Sequence, residues 1–352
     1  LPDYLDLVAL GTVSDVVPLL DENRTLVRHG LARIKRSARC GLQALIRVAG
    51  VRTEIDCYHL GFLLGPRINA AGRLGSAEPA LELLLCEDAA AARRLAGQLN
   101  AANSERKRIE EQIIAEAVET IEPNFDTDTT FGLVVGDEGW HIGTVGIVAA
   151  RLCGRYRRPS VVIAFDADGV GRGSCRSVGA VNIVEALQEC SDLLESHGGH
   201  KMAAGLTVAR DKLGELQSFL DERVANDLSR NAVIPTLRID GSVAVKGVQP
   251  EFVESLQRLA PFGAGNSEPR FMLPSVRVAK ADVVGAGHVR CFLSGPDGGR
   301  LKAIAFRAAG EPLGDALLQT DGLALQLAGK LRPDDWQGRN DVQMIIDDAA
   351  AV

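Results

Sequence analysis

The stretch Ser196-His197-Gly198-Gly199-His200-Lys201-Met202-Ala203-Ala204-Gly205 sets two adjacent glycines between histidines and follows them with more small residues. Glycine loses more freedom on ordering than any other residue, so a pair of glycines marks backbone that must turn tightly or approach something closely. The segment suits the interior of neither helix nor strand. It predicts a tight loop against an anion, with Gly198 and Gly199 lending their amides and His200 and Lys201 on the rim. A Gly-rich turn leading into a strand Ala204-Val208 would use the same residues.

Four further segments carry polar chemistry among small residues. Asp15 closes Gly11-Thr12-Val13-Ser14-Asp15 after the apolar run Leu7-Leu10, where a carboxylate can ligate a hard cation such as Mg²⁺ or Mn²⁺, or cap a turn. Gly65-Pro66-Arg67-Ile68-Asn69-Ala70-Ala71-Gly72-Arg73 offers Arg67, Asn69 and Arg73 to a phosphate, since a guanidinium grips an oxyanion through two parallel hydrogen bonds. Ion pairing within its own domain is the competing use. Gly139-Trp140-His141-Ile142-Gly143 opens a helix whose apolar stripe is Val145, Val148, Ala149 and Leu152. Its amides and His141 suit an anion and Trp140 could stack on a base, or His141 could simply cap the helix. Gly171-Arg172-Gly173-Ser174-Cys175-Arg176-Ser177 has the makings of a phosphate clamp through Ser174 and Arg176. Asp166-Ala167-Asp168-Gly169 mimics a DxDG metal motif, but turn chemistry accounts for it.

The elements that must position these groups can be read from periodicity. Residues 1–86 alternate helices and loops with apolar faces. Residues 87–122 lack proline, and Leu95, Leu99, Ala102, Ile109, Ile113, Ala117 and Ile121 recur at helical spacing, predicting one long connecting helix. Residues 123–232 alternate buried-type strands (Phe131-Gly136, Ser160-Phe165) with helices (Ile142-Tyr156, Val181-Leu194, 211–228), an α/β domain. Residues 233–352 read as short strands between Gly, Pro and Asp turns with one helix at 250–259, a small OB-like barrel. The fold class is therefore α/β plus β-barrel. The barrel's Phe271, Phe292, Phe306 and Trp336 are candidate stackers, although an aromatic in a small barrel also serves as core.

Length and composition bound the answer. At 352 residues, 46% hydrophobic and 24% charged, the chain can bury more than one core. No run reaches the roughly 18 apolar residues of a membrane span. Seven scattered cysteines without a CxxC argue for reduced thiols and a cytoplasmic home. The net charge of −7 argues against a nonspecific nucleic-acid coat, but two basic clusters imply a localised polyanion site or solvated helix faces. One comprises Arg24, Arg28, Arg33, Lys35, Arg36 and Arg39; the other comprises Arg151, Arg155, Arg157, Arg158, Arg172 and Arg176.

Taken in order, Tyr4–Asp15, Gly65–Leu74, Gly139-Trp140-His141 with Gly146–Ala149, Gly198-Gly199-His200 with Ala203–Gly205, and Pro261-Phe262-Gly263-Ala264-Gly265-Asn266 resemble the RecJ family. These are single-strand-specific 5′→3′ DNA exonucleases of the DHH/DHHA1 phosphoesterase superfamily, acting in repair and recombination. The resemblance implies that Asp15 is a metal ligand and that His200 faces the scissile phosphate. It implies that Arg67 or Arg73, with Ser174 and Arg176, grips the 5′ end, and that the barrel holds single-stranded DNA. It also implies a two-metal Mn²⁺ or Mg²⁺ site and partners in repair, with no membrane. The superfamily's adjacent histidines are absent among His29, His59, His141, His197, His200 and His288, and the chain opens without methionine. The expectation is thus the C-terminal part of such an enzyme: 1–86 the end of a catalytic domain, 87–122 the connecting helix, 123–232 a DHHA1-type domain and 233–352 the OB domain. Such a piece should bind single strands, cleave little or nothing, and expose apolar surface in its first 86 residues. A phosphodiesterase for short oligonucleotides or cyclic dinucleotides, and a noncatalytic single-strand-binding module, are the alternatives.

Overall fold

The structure, a computed structural model, describes residues 2–179, 181–230, 236–319, 322–334 and 341–352. Along the chain come helices α1 (Leu5–Ser14), α2 (Asp21–Ile34) and α3 (Cys40–Val48), then a π-helical segment His59–Leu64. They are followed by α4 (Gly65–Leu74), α5 (Glu78–Leu85) and the long α6 (Ala89–Ile121). Asp88 caps α6 by accepting from the Ala91 amide, and Pro123 follows its end.

An α/β region succeeds it: β1 (Leu133–Asp137), α7 (Ile142–Tyr156), β2 (Ser160–Phe165), β3 (Val170–Arg176), α8 (Ile183–Glu189), β4 (Ser196–His200), β5 (Ala203–Ala209) and α9 (Leu213–Arg230). Its sheet runs β1-β2-β3-β5-β4, with β1 and β2 parallel and the other pairs antiparallel. β2 is buried on both faces, as its unbroken apolar run requires. One face packs Val135, Val148, Val162 and Trp140 with Ile113 and Ala117 of α6; the other packs Ile163, Cys175, Leu187, Leu206 and Leu220.

The last region holds β6 (Gly241–Ser242), α10 (Pro250–Gln257), β7 (Arg270–Val284), β8 (His288–Ser294), β9 (Arg300–Ala305), α11 (Pro312–Leu318), β10 (Ala324–Asp334) and β11 (Asp341–Ala351). The strand order β10-β11-β9-β8-β7-β6 is closed by pairing of β10 with β7, so the sheet is a barrel. Its interior is aliphatic, with Leu273, Val276, Val289, Leu293, Leu327 and Met344 at its centre.

Chain contacts define two bodies. One comprises residues 1–37, 53–62 and 236–352, and the other 38–52 and 63–235. The first 86 residues are therefore shared between the two bodies. In the first body α1 and α2 join the barrel through the Pro261–Asn266 turn. The Leu19 amide donates to Ala264 O at 2.7 Å, and Asn266 Nδ2 donates to the carbonyls of Leu259 and Pro261 at 3.1 and 2.8 Å. Arg24 and Arg28 cap the end of α10, donating to the carbonyls of Leu259, Arg258 and Ala260. Arg33 pairs with Asp3 and Lys35 with Glu54. Four of the six cations in the first basic cluster are thus held by their own body. Val16, Tyr58 and Phe62 of this body are 71%, 57% and 70% exposed, which matches the expected apolar surface.

Three local expectations change. Ser196–His200 is a strand and not a loop, because pairing with β5 orders residues that have no strand preference of their own. The barrel region opens with a strand of only two residues, Gly241–Ser242, and a second helix, α11, stands beside the one expected at 250–259. Among the described residues no helix is long and apolar enough to cross a membrane.

Candidate functional site

In the α/β body the antiparallel register of three strands brings distant segments into rows. Gly198 faces Gly205, which faces Ser174; His200 faces Ala203, which faces Arg176. Partners in a row point to the same side of a sheet, so Ser174, Arg176 and His200 share one face. The residues between them are glycine and alanine, which leaves a bare strip. Two strand spacings, roughly 9–10 Å, separate the Cα atoms of Arg176 and His200 across it. The opposite face is core, with Cys175 and Ala204 buried. Gly198, Gly199 and His200 are exposed.

Gly199 has φ +150°, and a Cβ there would lie 2.5 Å from Ala203 O and from the Ala204 Cα. Only glycine fits, and it keeps β4 close to β5. At the other end of the strip, Arg176 donates from NH1 to Ser174 Oγ at 3.0 Å and to its neighbour's carbonyl at 2.8 Å. α7 lies directly beside this pair. A Cβ on Gly146 would come within 3.1 Å of Ser174 Oγ and 3.4 Å of Arg176 NH2. A Cβ on Gly143 would stand 2.0 Å from Arg73 O, and Arg73 NH1 donates to Gly143 O at 3.2 Å. Gly143 and Gly146 therefore let α7 approach Arg73 on α4 and the Ser174–Arg176 segment of β3. The site is a shallow, open surface with guanidiniums at one side and an imidazole at the other. Its donors suit the oxygens of a phosphate.

The remaining candidates divide. His141 is the N-cap of α7: its Nδ1 accepts from the Gly143 amide at 3.0 Å, which leaves Nε2 as the free ring nitrogen. Arg67 donates to Asn100 Oδ1 and Leu63 O, and burial lowers its pKa, so most of its fork is committed within its own body. Asn69 is exposed on α4. Trp140 cannot stack on a base: it is 7% exposed in the core, and its Nε1 donates to Glu116 Oε2 at 2.7 Å. Phe271 is half-buried, packs on the barrel core and meets Phe252 edge-on at 5.4 Å. Phe292 and Phe306 are 36% and 55% exposed. Phe292 lies in register with Lys280 and Lys302 on the flanking strands, and Arg290 stands 5.8 Å from its ring centre. That is an aromatic platform ringed by cations. Trp336 lies outside the described residues. Asp166 accepts from the amides of Asp168 and Val170, the turn its sequence suggested.

Asp15 follows α1 as its C-cap and is exposed. Among the described residues no group of three or more His, Cys, Asp or Glu side chains comes together. The residues present therefore do not fit a divalent metal on their own.

Sequence reasoning missed Arg106 and Glu110. Both are buried on the packed face of α6, Glu110 completely, and Arg106 NH1 donates to Glu110 Oε1 at 2.7 Å. The signal was there: positions 99, 103, 106, 110 and 113 continue one helical stripe, so a charged pair occupies the middle of an apolar face.

An α/β region followed by a closed barrel on one chain corresponds to two known domain types. The DHHA1 domain model matches residues 128–226, and the RecJ OB domain model matches residues 239–348. The single-stranded-DNA-specific exonuclease RecJ of Bacillus subtilis (strain 168) is 36% identical over 355 residues, 99% of this chain and 44% of its own length. Its namesake from Escherichia coli (strain K12) is 36% identical over 359 residues, 99% of this chain and 61% of its own. The crystal structure of RecJ in complex with Mn²⁺ from Thermus thermophilus superposes with a TM-score of 0.84 at 32% identity, over 100% of this chain and 50% of that one. The Mg²⁺ complex from the same source gives 0.85, covering 52% of its chain. The similarity to these RecJ relatives runs along the whole chain, which spans about half the length of the relatives it matches.

Proposed function

We propose that this chain is the DNA-holding part of a cytoplasmic single-strand-specific 5′→3′ exonuclease, and that by itself it grips single-stranded DNA at a 5′-phosphorylated end without cleaving it. The observation that carries this reading is the row His200–Ala203–Arg176, beside Ser174–Gly205–Gly198. Arg176 and Ser174 bind the terminal phosphate, and Arg73 adds charge from α4. The strand's backbone crosses the bare strip, and His200 on β4 meets a following phosphate. Because the donors are held by sheet register before the ligand arrives, little ordering remains to oppose binding. Phe292 and Phe306 stack bases on the barrel, with Lys280, Lys302 and Arg290 beside the backbone. Asp15 is the one family metal ligand carried here; bond cleavage is assigned to the whole enzyme and not to this chain.

Fluorescence anisotropy with a single-stranded oligonucleotide, carrying either a 5′-phosphate or a 5′-hydroxyl, and with its duplex tests the proposal. The single strand should bind more tightly than the duplex and the 5′-phosphate more tightly than the hydroxyl. R176Q should erase most of the phosphate preference, roughly a tenfold loss or more for a charge-assisted pair. Equal affinity for single and double strands would sink the reading and favour a small-nucleotide phosphodiesterase.

A further inference from the structure

The buried pair on α6 belongs to a larger group. Arg106 NH2 donates to Asn103 Oδ1 at 3.1 Å while its NH1 holds Glu110. From α7, half-exposed Arg151 brings NH2 to 3.5 Å from Glu110 Oε2, an ion pair without a hydrogen bond. Glu110 Oε2 and Arg106 Nε are buried and lack hydrogen-bond partners among the described residues. Burial lowers the pKa of Arg106, and nearby Arg73 and Arg151 lower it further, against the pull of Glu110. Two guanidiniums, from α6 and α7, thus converge on a single carboxylate, and Arg73 of α4 stands near enough to Arg106 for their charges to oppose each other. Arg106 is 9% exposed, while Arg73 and Arg151 reach solvent. A surplus of positive charge in a partly dry place favours an oxyanion with several acceptors, because guanidinium forks bind it bidentately and lose little hydration.

We infer that Arg73, Arg106 and Arg151 form a second phosphate subsite, apart from the Ser174–Arg176 rung, with Glu110 as the fixed counter-charge that holds Arg106 and Arg151 together. The ligand is a phosphate group. That it belongs to a nucleic-acid backbone rests on the function proposed above; a free phosphate or small phosphate ester has the same chemistry. Arg73, whose guanidinium stands against the first turn of α7, is common to both sites.

The test starts from R176Q, which removes the guanidinium that belongs to the first site alone. Thermal unfolding is followed in inorganic phosphate and in chloride at equal ionic strength, with and without R151Q. Phosphate should raise the Tm of R176Q, and the rise should vanish in R176Q/R151Q; R176Q/R73Q, built at an exposed side chain, should behave alike. A rise that survives both second substitutions overturns the subsite. In parallel, the salt dependence of binding to a 5′-hydroxyl single strand is measured in wild type and R151Q. R151Q should lower the slope of log Kobs against log salt by about 0.7, the increment of one single-strand phosphate contact, and leave the 5′-phosphate preference intact. Loss of the phosphate rise with an unchanged slope supports the subsite and overturns DNA as its ligand. If wild type binds no single strand at all, the proposed function fails, while the subsite is still decided by inorganic phosphate.

Discussion

Glu110 is the side chain on which the α/β body has least latitude. It is fully buried and is the carboxylate that faces Arg106 and Arg151. A buried pair gains little over an apolar pair of the same shape, but removing one partner strands the other charge in low dielectric. E110A should therefore cost about 3–5 kcal/mol, the range for breaking a buried pair, read as a fall in the urea midpoint with an unchanged slope. At this scale the sequence was legible where one residue type has one use. Ser174, Arg176 and His200 were picked out by type, and the structure places all three on one face. Spacing alone could not show that, because residues 24 apart come level only through strand register. Trp140 illustrates the opposite failure: an indole beside a histidine and glycines looks like a base platform, yet its ring is core and its N–H is taken by Glu116.

At the scale of elements, the strands with apolar runs and the long helix could be read directly, since burial on both faces and 3.6-residue periodicity leave plain patterns. β4 could not. Its residues have no strand preference, and only the hairpin with β5, closed by Lys201 and Met202, makes it a strand. The connecting helix was predicted with the right extent but an incomplete face, because Asn103, Arg106 and Glu110 interrupt its apolar stripe. The dependence of β4 on β5 gives a sharp expectation. G199A places a methyl within 2.5 Å of the β5 backbone and should detach β4. Hydrogen exchange at residues 196–200 should accelerate while β1 and β2 stay protected, and affinity for the single strand should fall while the 5′-phosphate preference and the global fold are kept.

For the molecule as a whole, each body holds a sealed thiol. Burial pushes Cys175 in the α/β sheet up to about 12 and Cys291 in the barrel up to about 11, against 9.0 for an ordinary thiol. A raised folded-state value means the native form keeps a proton that the unfolded chain gives up. The resulting stability is complete below about pH 9 and drains away as pH climbs towards 11–12. Each such thiol can contribute a slope of up to about 1.4 kcal/mol per pH unit in that window. Urea midpoints at pH 8 and pH 10 should show the decline, and C175A should make it shallower. The same layout shows a packing that periodicity could not record. Residues 1–86 read as one segment, but 1–37 and 53–62 pack in the barrel's body and 38–52 and 63–86 in the other. The chain returns to each body after leaving it, and periodicity carries no record of such returns. The margin of the α/β sheet is a last case. The strand bearing His200 lies at an edge of the sheet, paired on one side only among the described residues, and warming should loosen it before the inner strands β2 and β3. Such a protein would go blind to its ligand's phosphate while its spectrum still reported a native fold, and a heat-treated sample would pass every test of shape before failing the test of recognition.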